Sequence, residues 1–327
     1  LETIDKLKEL PLKDVDYIKE LTDKFAKQQN LIKTLGEIRK IIEIGDIQRY
    51  PDCEDLIKKA LNVGRRENGY DRILDDLALT LSEKKEDLML TGINGFDEIL
   101  KLSKKNLCSI IMPTGIGKTT MATRIANGLA NNGKYTIQVF FEDELDAIRL
   151  KHISLTNGIS VDTIQENKEK IIQNKDSLNK INDFLALKKF PSGIISFGKL
   201  KQFLVKTIAD GFPIETLILD YFECLQMVQN QNLKQYEGEA LVMRNFEALA
   251  DELNILIIAF SQGSRSSVKS TIIQADEISG AFAKSQIAGK LVSVNKTEAQ
   301  KANGTATMAI LKNRGGNTGI FEDFVFN

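Results

Sequence analysis

Residues 114–120 constrain the fold of this chain more than any other stretch. They read Thr-Gly-Ile-Gly-Lys-Thr-Thr and separate the apolar run 107–112 from the helix-prone residues 121–126. A glycine-containing loop between a strand and a helix turns several backbone N–H groups toward a phosphate, and here Lys118 would reach its β/γ oxygens and Thr119 a bound Mg²⁺. The segment therefore predicts a nucleoside triphosphate site in an α/β domain.

The predicted nucleotide-binding residues are those of the loop and the helix start, namely Thr114, Gly115, Ile116, Gly117, Lys118, Thr119 and Thr120. The pattern GxxxxGK(S/T) would put a small residue where Met112 stands. We therefore expect Met112 to end the strand, so that Gly115 to Thr119 face the phosphates. The alternative is a chance Gly-Lys-Thr sequence after a buried strand.

Composition narrows the classes of protein to which this chain can belong. Its 327 residues are enough for one large α/β domain and a smaller piece. The 44 Lys and Arg residues nearly balance the 45 Asp and Glu residues, so contact with nucleic acid would need a local basic patch. The three cysteines are far apart in the sequence and His152 is the only histidine, which argues against zinc sites and against Ser-His or Cys-His catalysis.

The sequence also indicates where in the cell the protein is expected. No apolar run reaches membrane-spanning length and no signal peptide opens the chain, so we expect a reduced, intracellular protein. Because residue 1 is Leu rather than Met, we also expect upstream sequence that this chain does not include.

Two patterns divide the chain. Before residue 90, apolar residues recur at helical spacing, with a short amphipathic helix at 54–63 and a polar joint at 64–70. From residue 107 onward, apolar strands alternate with helical stretches, which predicts a mostly parallel sheet covered on both faces. The predicted strands are 107–112, 136–141, 193–197, 216–219 and 255–260, with helices at 199–210 and 241–253. Beyond residue 285 we expect the helices to stop and strands to follow at 291–294, 307–311 and 320–326.

Polar side chains follow three of these strands. Asp220 ends an apolar run where a Walker B aspartate would orient Mg²⁺, although a strand-end Asp can also cap a loop. Glu142 and Glu144 follow the strand at 136–141, and one of them could polarise an attacking water, unless this is a solvated acidic turn. The amide of Gln262 could hydrogen-bond a γ-phosphate and respond to its loss.

These elements, taken in order, resemble the RecA-type motor domain of the DnaB-like hexameric replicative helicases. Asp220-Tyr221 resembles the family's Asp-Tyr Walker B pair, and the segment 249–265 resembles its Ala-containing helix followed by Ser-Gln-x-x-Arg. Leu311–Gly319 resembles the family segment whose Lys and Arg reach the neighbouring subunit's nucleotide. The segments 91–97 and 276–280 are similar to two further parts of the family pattern. The resemblance covers most of the chain.

The resemblance implies a fold and a set of site residues. The implied fold is a RecA-like P-loop NTPase core of the α/β class with a central, mostly parallel sheet, preceded by a small helical N-terminal and linker segment. The implied metal ligands are Thr119 and Asp220, and Arg314 is also implied to contact nucleotide. For the catalytic base, matching the family's two phenylalanines favours Glu144, whereas matching the strand end favours Glu142. The implied catalytic residues are Lys118, Gln262, Lys312, Arg314 and one of these two glutamates.

The resemblance also implies partners and cofactors. The family uses two pore-facing loops, here 226–238 and 263–274, in which Lys234, Arg265 and Lys269 would bind phosphates of single-stranded DNA. Arg265 could instead link to the nucleotide site, and the two lysines could lie in solvated loops. The implied cofactors are ATP and Mg²⁺. The implied partners are single-stranded DNA, further copies of the chain in a hexameric ring, a primase and a helicase loader.

The implied activity is ATP-driven, 5′-to-3′ movement on single-stranded DNA with duplex unwinding. Residues 1–50 would be the end of an N-terminal helical domain, 51–90 a linker helix and joint, and 91–327 the motor domain. The alternatives are a RecA-type recombinase or KaiC-like ATPase, and a ring scaffold or loader that binds nucleotide without turnover. A small-molecule kinase agrees less well with the motifs after residue 260.

Overall fold

The computed structural model describes residues 12–44, 53, 56–57, 60, 87–226, 235–263 and 287–325. The chain divides into two compact units, residues 1–84 and residues 85–327. In the first unit, helix α1 spans Leu12–Ile44, in agreement with the helical spacing of the sequence. Among the described residues, no helix combines the length and the apolar character needed to cross a membrane.

The described part of the second unit contains eight strands and the helices between them. The strands are β1 (Leu107–Met112), β2 (Thr136–Phe140), β3 (Leu185–Lys189), β4 (Thr216–Asp220), β5 (Leu256–Gln262), β6 (Lys290–Asn295), β7 (Thr305–Asn313) and β8 (Gly319–Val325). The helices are α2 (Phe96–Leu100), α3 (Lys118–Asn131), α4 (Leu145–Asn157), α5 (Lys168–Gln173), α6 (Lys175–Phe184), α7 (Phe197–Ala209), α8 (Gln235–Glu252) and α9 (Glu298–Asn303).

The strands form one sheet in the order β3-β2-β4-β5-β1-β6-β7-β8. The first six strands in this order, which are β3, β2, β4, β5, β1 and β6, pair in parallel. Strands β7 and β8 pair antiparallel and complete the sheet on the β6 side. Connections between parallel strands must cross over the sheet, and this requirement places helices on its faces. The mostly parallel α/β architecture agrees with the predicted fold class.

Side chains of the central strands alternate between two hydrophobic cores, one on each face of the sheet. In β1, Leu107 belongs to the core beneath α7 and α8, while Ile110 and Met112 belong to the core beneath α3. All residues of β1 are buried. Because both faces are covered, the strand reads as a continuous apolar run, and α3 is held next to its carboxyl end.

One predicted strand is wrong, and a different segment forms the sheet edge. Residues 193–197 form no strand: Ser196 makes a single bridge to Gln226, and α7 begins at Phe197. The Ser196 side chain accepts a hydrogen bond from the Lys199 backbone N–H and so caps that helix. The edge strand is β3, in which all residues are half-buried.

Two further boundaries differ from the predictions. Helices do not stop at residue 285, because α9 lies between β6 and β7 and has a capping box formed by Thr297 and Gln300. The segment 226–238, predicted as a loop, is helical from Gln235 onward. The predicted joint at 64–70 and the segment 276–280 lie outside the described residues.

Helix α3 packs closely against the segment that precedes β1. A Cβ added at Gly128 would lie 1.6 Å from the Thr91 carbonyl oxygen. The Asp97 carboxylate holds this segment, because it accepts hydrogen bonds of 2.7–2.9 Å from Thr91 N, Thr91 Oγ1 and Gly92 N. Arg124 of α3 also donates to the Gly92 carbonyl at 3.0 Å. These contacts fix the position of α3, on which the loop at its start depends.

Replacing Gly128 by Ala tests this close approach. The added methyl group must displace the Thr91 backbone, so we expect the free energy of unfolding to fall by about 3 kcal/mol. The matched control is Gly198→Ala in α7, where the nearest atom to an added Cβ is Ser196 Oγ at 4.0 Å. There we expect a gain of up to about 1 kcal/mol, because Ala favours helix over Gly. Denaturant unfolding measures both changes, and equal stability of the two variants would contradict the packing.

Candidate nucleotide-binding site

The loop after β1 has the backbone geometry of a phosphate-binding loop. β1 ends at the fully buried Met112, as predicted, and this residue pairs with Gln262 of β5. Gly115 and Gly117 have φ angles of 80° and 103°, a region that favours glycine. Gly117 is the N-cap of α3 and provides no side-chain cap. The first N–H groups of α3, from Lys118 onward, are therefore available to a phosphate.

Asp220 ends β4 next to the start of α3. It is 6% exposed, and the Thr119 side chain lies near its carboxylate. Burial raises the pKa of Asp220 to about 6, partly opposed by the nearby Thr119 hydroxyl and by the charge of Lys118. A carboxylate beside a hydroxyl provides the hard oxygens that Mg²⁺ prefers, and a cation there would favour the charged form of Asp220. Thr119 and Asp220 therefore fit the predicted metal ion.

Three carboxylates lie near the Lys118 ammonium. Burial lowers the pKa of Lys118, and the charges of Asp220, Glu223 and Glu142 oppose this shift. The ring of Tyr221 lies with its centroid 5.2 Å from Lys118 Nζ, and the Tyr221 hydroxyl donates to Glu142 Oε1 at 2.9 Å. The Glu142 carboxylate is thus held at the carboxyl edge of the sheet, beside the lysine of the loop.

The structure separates the two glutamates that the sequence left as alternatives for the base. Glu144 is the N-cap residue of α4, and its carboxylate accepts a hydrogen bond from Lys189 Nζ at 2.5 Å. Lys189 ends the edge strand β3, and the Glu144 side chain is 81% exposed. Of the two glutamates, Glu142 is the one bonded to the residue that follows Asp220.

A further contact joins β5 to the loop. Gln262 Nε2 donates to Thr114 Oγ1 at 2.5 Å, so the predicted γ-phosphate sensor lies at the phosphate-binding loop. Glu223 holds this end of β5, because its carboxylate accepts hydrogen bonds from the Ser261 hydroxyl and, at 3.2 Å, from the Gln262 backbone N–H. Glu223 was not among the predicted residues. Its only signal in the sequence is an acidic residue three positions after Asp220.

A cavity of about 490 Å³ opens beside the first turns of α3. Its walls include Asn94, Thr120, Arg124 and Phe324, so it combines polar groups with an aromatic ring. The volume is within the range of about 300–1,000 Å³ that is typical of small-molecule sites. The cavity can therefore accept the part of a nucleotide that extends beyond its phosphates.

Lys312 and Arg314 do not join this group of residues within one chain. The register places the end of β7 opposite Lys290 of β6, and Lys290 opposite Cys108 near the start of β1. The phosphate-binding loop follows the other end of β1, about 13 Å further along the strand direction. In this chain, Arg314 Nη1 instead contacts Glu247 Oε1 of α8 at 3.2 Å.

The three predicted DNA-binding residues, Lys234, Arg265 and Lys269, lie outside the described residues.

Within the described part of the chain, no cluster of three or more His, Cys, Asp or Glu side chains could hold a metal ion. Thr119 and Asp220 are the residues that would hold a Mg²⁺ ion, which would supply positive charge beside a bound phosphate.

Comparison with known proteins places these features in a family. Residues 89–326 match the model of the DnaB-like helicase C terminal domain. The replicative DNA helicase DnaC of Bacillus subtilis (strain 168) is 21% identical over 266 residues. This match covers 74% of the present chain and 57% of DnaC, so the chain spans little more than half the length of that relative.

Two solved structures share the fold. One, an isolated ATPase domain, superposes with a TM-score of 0.67 at 17% identity, covering 79% of this chain and 100% of that one. The other, a DnaB-like replicative helicase whose structure was described with its interactions with primase, superposes with a TM-score of 0.65 at 16% identity, covering 92% of this chain and 75% of that one. The predicted RecA-like α/β fold class is therefore confirmed. Because the family model matches well over half of the chain, this protein belongs to the DnaB-like helicase C-terminal domain family.

Proposed function

We propose that this protein is a replicative DNA helicase that hydrolyses ATP to move along single-stranded DNA and to separate the duplex as a ring. One observation carries the proposal. The groups at the carboxyl ends of the parallel strands suit nucleoside triphosphate hydrolysis. Lys312 and Arg314 lie instead near the amino ends of these strands. A neighbouring copy of the chain could supply these two residues, so that hydrolysis depends on assembly and alters the contact between subunits.

The loop from Gly115 to Thr119 would hold the triphosphate. Its backbone N–H groups and the Lys118 ammonium offer positive charge to the phosphates. Thr119 and Asp220 would hold Mg²⁺, which when bound neutralises charge on the β- and γ-phosphate oxygens. The cavity beside Thr120 would take the nucleoside. The proposed cofactors are therefore ATP and Mg²⁺.

Glu142 is the residue that we assign to activation of the attacking water. Its carboxylate is held by the Tyr221 hydroxyl and lies near Lys118, the residue proposed to contact the γ-phosphate. A general base must lie within hydrogen-bond reach of the proton that it accepts, and this requirement favours Glu142 over the exposed Glu144. Gln262 would leave Thr114 to donate to the γ-phosphate and would return to this contact when the phosphate is lost.

Lys312 and Arg314 of the adjacent subunit would stabilise the negative charge that develops during phosphoryl transfer. Within its own chain, Arg314 pairs with Glu247, and both side chains are more than 40% exposed. Such an exposed pair contributes little free energy, so it does not prevent Arg314 from reaching a phosphate on a neighbouring copy.

The DNA contacts, ring size and direction of movement are proposed from the family pattern. Lys234, Arg265 and Lys269 would bind the phosphate backbone of single-stranded DNA in the centre of the ring. The ring is proposed to be a hexamer that moves from 5′ to 3′. A replicative helicase acts where the genome is copied, so the proposed location is the cytoplasm of a bacterium or a phage-infected cell.

The proposed division of the chain follows the same pattern. Residues 1–50 would end an N-terminal helical domain, residues 51–90 would form a linker helix and joint, and residues 91–327 would form the motor. A primase and a helicase loader are the proposed protein partners. The primase proposal is supported by the fold shared with a DnaB-like helicase whose structure was described with its interactions with primase.

The ATPase rate with and without single-stranded DNA tests the proposed function. We expect assembled protein to hydrolyse ATP and the rate to rise several-fold with DNA, because DNA in the ring would change the contacts between subunits. Lys118→Ala, which removes the phosphate-binding ammonium, serves as the blank. Assembled protein that binds ATP without turnover, with or without DNA, would instead identify a nucleotide-dependent scaffold or loader.

Replacing each glutamate by Gln tests the assignment of the base. Glu142→Gln keeps the acceptor for Tyr221 but cannot take a proton, so we expect the ATPase rate to fall by about 100-fold with nucleotide affinity retained. Glu144→Gln is the matched control and should hydrolyse ATP at nearly the native rate. Steady-state turnover and binding of a fluorescent ATP analogue measure the two effects. A larger loss in Glu144→Gln would reverse the assignment.

Lys312→Ala and Arg314→Ala test the action of one subunit on its neighbour. We expect hydrolysis to be abolished in each, because an absent arginine finger costs about 10³-fold or more in rate. Nucleotide binding should remain near native, since the phosphate-binding loop lies at the other edge of the sheet. Lys301→Ala removes an exposed lysine that pairs within α9 and serves as the control. Normal turnover in both variants would rule out the proposed role.

A further inference from the structure

The turn between β7 and β8 is anchored by the side chain that separates its two basic residues. Asn313 lies between Lys312 and Arg314 and ends β7. Its Nδ2 group donates to the Ile99 carbonyl at 2.8 Å and to the Asn317 carbonyl at 3.0 Å. Its Oδ1 atom accepts a hydrogen bond from Lys290 Nζ at 2.8 Å. The amide therefore joins α2, Lys290 of β6 and the far side of the turn to the end of β7.

Lys290 is a buried charge, and its position is costly unless its hydrogen bonds are made. It is 5% exposed in β6, directly beside β1. Its ammonium donates to the Leu100 carbonyl at the end of α2 as well as to Asn313. A buried ammonium needs several partners to offset its lost hydration, so these contacts are made in a fixed geometry. Lys290 thus provides a rigid attachment for the Asn313 amide.

Asn313 and its two basic neighbours point to opposite faces of the sheet. Asn313 contacts the end of α2, whereas Arg314 contacts Glu247 of α8 on the other face. Lys312 pairs with Leu291 and Asn313 with Lys290, so Lys312 and Asn313 lie on opposite faces and Lys312 is on the α8 side. Burial and the charge of Arg314 lower the pKa of Lys312, and the nearby Glu247 charge opposes this shift. A register shift between Leu291 and Val292 accompanies this arrangement, and such irregularities re-aim nearby side chains.

The turn leaves little room for the amide to move. A Cβ added at Gly316 would lie 2.4 Å from Asn313 Nδ2. The Arg314 backbone N–H donates to the Gly289 carbonyl at 2.9 Å, which ties the turn to the start of β6. The Asn313 amide and the Arg314 backbone N–H therefore hold the backbone of the turn in place. The side chains of Lys312 and Arg314 extend from this fixed backbone.

We propose that Asn313 and Lys290 are positioning residues, which set the direction in which Lys312 and Arg314 reach the nucleotide of a neighbouring subunit. The proposal rests on the trans-acting role given above. Neither residue touches nucleotide; each acts through the backbone of the turn. Loss of Asn313 therefore lowers the rate of the chemical step while the subunit keeps its own intact nucleotide loop at the other edge of the sheet.

The first test compares Asn313→Ala with Asn317→Ala. Asn317 is exposed and contributes its backbone carbonyl to the anchor, so Asn317→Ala makes the same change of residue type in the same turn without loss of the anchor. For Asn313→Ala we expect kcat to fall by about tenfold or more, because small misplacements of catalytic groups are costly. The KM for ATP and the assembly state should stay near native. Native kcat, or loss of ATP binding together with kcat, would overturn the proposal.

Gly316→Ala is a second variant, which moves the Asn313 amide without removing a buried group. The added methyl must displace Asn313 Nδ2, while the residue itself lies in an exposed turn. We expect the same loss of kcat with unchanged KM. This variant keeps the test decisive if Asn313→Ala does not fold, and a native kcat in Gly316→Ala would then overturn the proposal.

Mixed assemblies separate this proposal from the trans-acting role itself. A Lys118→Ala subunit has a defective nucleotide loop and an intact turn, whereas an Asn313→Ala subunit has the reverse. In a 1:1 mixture, about a quarter of the interfaces combine the two intact halves, so the mixture should be more active than either variant alone. Lys312→Ala mixed with Lys118→Ala tests the trans role in the same way. If ATPase activity recovers in the mixture with Lys312→Ala but not in the mixture with Asn313→Ala, the positioning role alone is overturned. If activity recovers in neither mixture, the trans role is overturned.

Discussion

The direction of the strands determines which functional side chains lie together in this sheet. Strands that run in parallel place all their carboxyl ends at one edge of the sheet. Residues that are distant in sequence therefore meet there: the phosphate-binding loop after β1, Glu142 after β2, Asp220 on β4 and Gln262 on β5. The antiparallel addition of β7 has the opposite effect, because it carries Lys312 toward the amino edge. One sheet thus separates the two groups of residues by the direction of its strands alone.

Burial acts on both charged residues at the centre of the site. It lowers the pKa of Lys118 and raises the pKa of Asp220 to about 6, and the charge of each partly offsets the shift of the other. A triphosphate would place negative charge near Lys118, while its cation would place positive charge near Asp220. Both shifts would then become smaller together. The electrostatics of the loop would therefore favour joint binding of phosphate and cation.

The sequence was sufficient where a structural signal is local and insufficient where it depends on the rest of the chain. The loop at 114–120 and the buried strand before it were predictable, because glycine positions and a continuous apolar run are properties of neighbouring residues. The half-buried β3 lacks the continuous apolar run that marks the central strands. The apolar pair Ile194-Ile195 suggested a strand, but Ser196 caps α7, which begins at the next residue. Likewise, the sequence does not distinguish Glu142 from Glu144, because the difference lies in the side chains that they contact, Tyr221 in one case and Lys189 in the other.

The turn that carries Lys312 and Arg314 combines an anchored base with an exposed arginine. Part-buried hydrogen bonds of Asn313 hold its backbone, and one of them comes from the buried ammonium of Lys290. The contact between Arg314 and Glu247 is exposed and weak, so Arg314 can exchange it for another partner at small cost. The interface that we propose between subunits, which would be made and broken in each cycle of hydrolysis, would need both properties. A flexible base would lose conformational entropy each time Arg314 bound the nucleotide of a neighbouring subunit. A buried arginine would release its partner in its own chain too slowly.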